Sequence, residues 1–226
     1  MLKNLINLFY PDLCANCEHI LLENENVLCT FCKHDLPIIP IYDLKNNVIT
    51  NVFYGKLEIS MGFALLFFRK EGITQQLMHQ LKYKNQEQIG VWLGNWIGEI
   101  LKTKQEFLEI DCIIPVPLHP KKLRKRGYNQ VTKFANQLAL HLQKPIITNQ
   151  LIKTSATKTQ TFKDRFERFS DENSKFDLKN PEFFNHKHIL ILDDVLTTGA
   201  TLMDCASTFL KAKNCKISVV TMAFTE

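Results

Sequence analysis

Long apolar runs are missing from this chain. No stretch approaches the ~18 consecutive apolar residues that a membrane-spanning helix needs, so membrane insertion is not expected. A secretory leader is not expected either. The segment Met1 to Tyr10 is apolar only in short pieces, broken by Asn4 and Asn7, and no small-residue cleavage site follows it. The cysteines exclude a secreted disulfide framework: there are seven, four clustered near the N-terminus and three scattered. These absences together predict a cytoplasmic protein. Charge of one sign is in small excess only. A net charge of +5 favours an anionic ligand without pointing to nucleic acid by itself. What is present is ordinary for a folded protein: 226 residues, 45% hydrophobic and 23% charged, enough for one α/β domain and a small appendage.

The appendage has its own chemistry. Cys14-Ala15-Asn16-Cys17 is followed, after eleven residues, by Cys29-Thr30-Phe31-Cys32. Two C-x2-C pairs can supply four thiolates around a tetrahedral zinc, each pair forming one tight knuckle. Iron–sulfur ligation would need the same sulfurs, but structural zinc suits so short a ribbon better. Two pairs together argue against a redox dithiol. His19 and His34 lie nearby and are expected to be bystanders. So small a segment has little core, so metal binding would supply its folding energy. The polar stretch Asp43 to Asn47 suggests a boundary, giving a zinc-ribbon domain over 1–50 and a second domain over 51–226.

The larger domain centres on Ile189-Leu190-Ile191-Leu192-Asp193-Asp194-Val195-Leu196-Thr197-Thr198-Gly199-Ala200-Thr201. Four consecutive aliphatics predict a strand buried on both faces of a parallel sheet. Two acids follow where the strand is expected to leave the sheet. A Thr/Gly turn then opens a helix with the stripe Leu202, Cys205, Ala206, Phe209, Leu210. Backbone N–H groups at such a turn cradle phosphate, with threonine hydroxyls as further donors. The acids repel phosphate, so they need ribose hydroxyls or a magnesium ion carried by a polyphosphate. Diol and phosphate side by side mean a sugar phosphate.

Other elements follow from patterning. Ile59 to Phe68 predicts a strand, and Ile73, Leu77 and Leu81 one face of a helix ending at Lys82-Tyr83-Lys84, where the two lysines could meet an anion but a solvated helix end is expected. A second helix carries Ile89, Leu93, Trp96, Ile97 and Ile100, with Trp92 and Trp96 as packing residues. A buried strand from Cys112 stops at Pro115 or Pro117, because proline lacks the N–H a central strand uses. A basic loop follows: Lys121, Lys122, Arg124, Lys125 and Arg126 are five of six consecutive residues. Concentrated cations at a strand end form a second anion-binding candidate. Val131, Phe134, Ala135, Leu138 and Leu142 make the next helical stripe. From Lys153 to Lys179 the chain is polar, with Phe162, Phe166 and Phe169 at helical spacing, and suggests either a lid over the site or a surface helix packed on the core.

The stretch 189–201 resembles the 5-phosphoribosyl-1-pyrophosphate (PRPP) loop of type I phosphoribosyltransferases. Pro115-Val116-Pro117-Leu118-His119-Pro120, the basic run, and Arg126-Gly127-Tyr128-Asn129-Gln130 narrow the resemblance to the ComF/GntX family, the competence protein F group. Lys82-Tyr83-Lys84 and the segment from Gln160 also fit its pattern. The resemblance implies a type I phosphoribosyltransferase-like α/β core with a mainly parallel sheet behind a zinc ribbon. It places Asp193 and Asp194 at the ribose hydroxyls, Thr197, Thr198, Gly199, Ala200 and Thr201 around the 5-phosphate, and magnesium with PRPP. It assigns Lys121, Lys122, Arg124, Lys125 and Arg126 to pyrophosphate or nucleic acid, and Gln160, Arg165 and Arg168 to a flexible loop. Two departures stand out: Asp171 where relatives often have Asn, and no cysteine over 33–111 for a second ribbon metal. Thr197 occupies the position of a base-contacting Asp in 6-oxopurine salvage enzymes, which disfavours that activity. Three functions follow: PRPP-dependent handling of single-stranded DNA during uptake, alongside partners such as a competence helicase; a phosphoribosyltransferase of nucleotide metabolism, displacing pyrophosphate from PRPP with an acceptor the sequence does not identify; or a non-catalytic interaction module on the same fold.

Overall fold

The computed structural model describes residues 10–154 and 175–226. The expectations for the leader region and for Gln160, Arg165, Arg168, Asp171 and the three phenylalanines between them therefore lie wholly or largely outside the described residues. In chain order the helices are α1 (Thr30–His34), α2 (Val48–Asn51), α3 (Ile73–Tyr83), α4 (Gln88–Leu101), α5 (Gln105–Leu108), α6 (Pro120–Arg126), α7 (Val131–Leu142) and α8 (Ala200–Ser207). The strands are β1 (Met61–Phe67), β2 (Cys112–Pro115), β3 (Leu151–Lys153), β4 (Phe176–Leu178), β5 (His188–Leu196) and β6 (Lys216–Phe224).

Four strands form one sheet in the order β1-β6-β5-β2, and every pairing in it is parallel. This is the expected α/β class with a mainly parallel sheet. Alternation along β5 sends Leu190 and Leu192 to one face and Ile189 and Ile191 to the other. The first face is covered by α3, α4 and α7 through Leu77, Leu81, Leu93, Phe134 and Leu138. The second is covered by α2, α8 and the antiparallel β3–β4 pair through Ile49, Leu202, Cys205, Leu151 and Phe176. Helices α4 and α7 pack closely because Gly94 and Gly98 face α7; a Cβ at Gly98 would come within 2.4 Å of His141.

The N-terminal unit lies against this core. Cys14, Leu28 and Cys32 belong to the same apolar cluster as Leu81 and Leu93, Gln80 donates to the Ala15 carbonyl, and the Lys33 ammonium sits 5.7 Å from the Trp96 ring. Trp92 and Trp96 pack on the core as expected, edge to face at 5.4 Å. Beyond the unit, residues 36–44 run along β1. Ile39 N–H donates to Leu65 O and Phe67 N–H to Pro37 O, both at 2.8 Å, so the chain covers an otherwise open sheet edge.

Three local expectations are corrected. The basic run is a helix, not a loop: the His119 ring accepts from the Lys121 N–H, Pro120 occupies the first turn, and Gly127 ends the helix at φ +80°. The acids lie inside β5 rather than past its end. β2 stops pairing at Leu192, yet β6 continues to pair through Asp193, Val195 and Leu196. Finally, α8 tightens into a 3-10 turn over Thr208–Lys211, which turns Leu210 outward to 68% exposure while Phe209 stays buried.

Candidate functional site

Asp193 and Asp194 sit at the carboxyl end of β5, beyond the last residue that β2 covers. Both are largely buried, at 9% and 6% exposure. Adjacent residues of a strand point to opposite faces, so their environments differ. Asp194 faces the α3/α7 side. Its Oδ2 lies 3.0 Å from Lys82 Nζ and accepts from Gln130 Nε2 at 2.8 Å, while its Oδ1 accepts from the Val195 N–H. Asp193 faces the α8 side, where its Oδ1 accepts from the Asp194 N–H at 2.9 Å. Burial, reinforced by Asp194, pushes its carboxyl up to about 7; that backbone bond and the cations Lys82 and Lys153 only partly oppose the rise.

The turn after β5 is built as the residue types predict. Gly199 adopts φ +77° at the start of α8, and a Cβ there would lie 2.7 Å from Val52 Cγ1 and 2.9 Å from Met203 Cε. Positive φ and close approach each require glycine. Thr197, Thr198, Ala200 and Thr201 around it are exposed. With Asp193 they line a shallow concavity of about 40 Å³.

A second concavity, about 450 Å³, opens between the end of α3 and α6. Lys82, Tyr83, Lys122, Lys125, Arg126 and Tyr128 line it. The Arg126 guanidinium lies 5.3 Å from the Tyr83 ring centre, and its Nη1 donates to Gln130 Oε1 at 2.7 Å. The motif Arg126 to Gln130 is thus a set of braces. Tyr128 Oη donates to the Leu81 carbonyl and Asn129 Nδ2 to the Val116 carbonyl, tying α6 to α3 and to the end of β2.

The four cysteines converge. Their sulfurs all lie within 4.8 Å of one another, with Cys17 Sγ and Cys29 Sγ 3.6 Å apart. Tetrahedral zinc with Zn–S near 2.3 Å needs sulfurs roughly 3.8 Å apart, so the set can hold such an ion. Donors aim at the sulfurs as well: Asn16 Nδ2 at Cys32 Sγ, 3.2 Å, and Cys29 N–H at Cys14 Sγ, 3.3 Å. Burial pushes the Cys14 thiol up, but the backbone N–H donors outweigh it and bring it down to about 6. Burial and the neighbouring thiols push Cys32 up to about 12, although Asn16 opposes them. Without a cation the four cannot all be thiolates. His19 and His34 are outside the set, and His34 bonds Asp35 instead.

Competence protein F of Haemophilus influenzae is 29% identical over 220 residues, spanning 90% of this chain and 93% of that protein. The DNA utilization protein YhgH of Escherichia coli O157:H7 is 31% identical over 138 residues, 60% of each chain. These likenesses support the ComF family. No family model matches it. Among solved structures, the glutamine PRPP amidotransferase of B. subtilis, complexed with ADP and GMP, overlaps 63% of this chain and 30% of its own at TM-score 0.44 and 16% identity. The adenine phosphoribosyltransferase of Leishmania tarentolae overlaps 91% and 90% at TM-score 0.40 and 11% identity.

In this chain the acid pair and residues 197–201 are contiguous, and Arg126 reaches Asp194 through Gln130. Lys121, Lys122, Arg124 and Lys125 have no ion-pair partner among the described residues. Lys82 is the largest revision: it points into the site, whereas Lys84 is the exposed helix end. Gln130 carried a motif-level signal through its place in Arg126 to Gln130. Lys153, next to Asp193 in charge and across the sheet from Lys82, carried none. No helix among the described residues is long and apolar enough to cross a membrane.

Proposed function

We propose that this is a PRPP-binding ComF-type protein that handles single-stranded DNA during DNA uptake in the cytoplasm, with zinc in the four-cysteine unit and magnesium accompanying PRPP. One observation carries the sugar-phosphate half: a buried acid pair at the carboxyl end of a parallel strand runs directly into a glycine-pinned helix start. In open parallel sheets this is where ligands sit. The N–H groups of residues 199–201 would take the 5-phosphate, Asp193 and Asp194 the ribose hydroxyls, and Lys121, Lys122, Arg124, Lys125 and Arg126 the further phosphates or a strand. Relatives named for competence and DNA utilization support the DNA half. Division at about residue 50 into ribbon and nucleotide domains belongs to the same reading.

Titration calorimetry with PRPP and magnesium tests it. Wild-type protein should bind, and the Asp193→Asn/Asp194→Asn double variant should bind at least tenfold more weakly, the loss of a charge-assisted contact or two. Equal affinity in both proteins, or none in either, refutes the assignment. Release of pyrophosphate on adding a base would make the protein a transferase.

A further inference from the structure

Lys82 belongs to two sites at once. Its ammonium is the cation on Asp194, and it also lines the cleft beside α6. Gln130 is shared in the same way, accepting from Arg126 on the cleft side and donating to Asp194 on the other. Two of the groups that hold Asp194 are therefore part of, or bonded to, the wall of the cationic cleft. A ligand at the acid pair must compete with Lys82 and Gln130 for Asp194 Oδ2. An anion in the cleft, facing Lys122, Lys125 and Arg126, must attract Lys82 away from the same oxygen. Both ligands loosen one contact, so whichever binds first makes the second binding easier. Such coupling is reciprocal by linkage.

We propose that the cleft between the end of α3 and α6 binds a phosphate group of single-stranded DNA by drawing Lys82 off Asp194, so that cleft and acid pair fill cooperatively. The proposal rests on the sugar-phosphate reading of the acid pair. The cleft is within the ~300–1,000 Å³ of small-ligand sites. It also offers more than charge. The Arg126 plane over Tyr83, held in place by Gln130, and the neighbouring Tyr128 give a base something to stack on beside its phosphate. A free pyrophosphate would use the cations alone.

The test is anisotropy of a labelled oligothymidine at fixed magnesium and ionic strength, with and without saturating PRPP. In wild type, PRPP should tighten oligonucleotide binding by about fivefold or more, the lower end of ordinary allosteric coupling. Asp194→Asn should tighten it without PRPP, because Lys82 is already released. Lys82→Met should bind more weakly and ignore PRPP, while Lys82→Arg should keep the response and so control for folding. Unchanged or weaker oligonucleotide binding on adding PRPP to wild type overturns the proposal; weaker binding would mean that the two ligands compete for the cleft. Failure of wild type to bind PRPP sinks the sugar-phosphate reading, and the Asp194→Asn arm then decides the shared cation alone. No tightening in that folded variant overturns it, as does an oligonucleotide that binds neither protein.

Discussion

The four-cysteine unit and the end of β5 both concentrate groups that repel one another when ionised, and they resolve the repulsion differently. Around Cys14, Cys17, Cys29 and Cys32 the described residues offer donors to sulfur but no cation, and the cost appears as a thiol at Cys32 pushed up to about 12. That site could be completed by a cation from outside. At β5 the chain brings its own: Lys82 pairs with Asp194, and Asp193 keeps a proton to about pH 7. On the zinc reading proposed above, one cluster makes folding depend on a ligand. The other can stand without a ligand and yield to one.

Removing the outside cation should break the comparison most sharply. Cys14→Ser/Cys32→Ser, or chelation of the wild type, should abolish stoichiometric zinc and unfold the unit over residues 10–35, since structural zinc contributes on the order of 10 kcal/mol to such folds. Elemental analysis with hydrogen exchange resolved along the chain checks this. Exchange protection of β5 and β6 should survive, because Ile189, Ile191 and Val219 are buried in the cluster on the other face, which contains none of the four cysteines. Collapse of both regions together would show that the packing of Gln80 and Leu81 on the unit makes one folding body.

How much of each site could be read in advance follows the same division. The cysteines were legible because ligand geometry is local: two knuckles and a short gap determine it. The acid pair and its glycine turn were legible because strand, acids, turn and helix are consecutive. Lys82 and Gln130 lie in motifs the sequence shows, but their contacts with Asp194 were not legible, because only the packing of α3 and α7 on the sheet brings them there. The basic run showed its charge but not its shape, which the His119 cap and Pro120 in the first turn set. Leu210 kept helical spacing in sequence, and a backbone tightening that no apolar pattern records moved it outward.

Protonation sharpens the contrast from the acid side. Asp193 holds its proton up to about 7 in the folded chain, against the ordinary carboxylate value of 3.8 when unfolded. Between those values the unfolded chain binds fewer protons, so rising pH favours unfolding, and the stability fully present below pH ~4 is lost by pH ~8. Asp193→Asn removes the titration. Relative to the variant, wild type should lose stability between pH 5 and pH 8, by on the order of 3 kcal/mol at most. Urea unfolding of both proteins at the two pH values measures it. A difference that does not change with pH would mean that Asp193 ionises as readily folded as unfolded, and that the chain's own cations serve both acids.

The smallest effect separates the acid site's backbone from its charges. Gly199 and Gly127 have nearly the same φ, +77° and +80°, but a Cβ at Gly199 meets Val52 and Met203 whereas one at Gly127 meets nothing within 4 Å. Alanine at Gly127 should therefore cost only the left-handed conformation, ~1 kcal/mol. Alanine at Gly199 should cost ~1–3 kcal/mol, adding the clash to the strain. Urea denaturation gives both numbers, and PRPP titration of the two variants then compares their sites. Weak PRPP binding confined to Gly199→Ala would mean that the turn's shape, as much as the acids' charge, makes the cradle. Equal destabilisation would mean that Met203, a flexible side chain, and Val52 move aside, and that the close approach at Gly199 is not what its glycine serves.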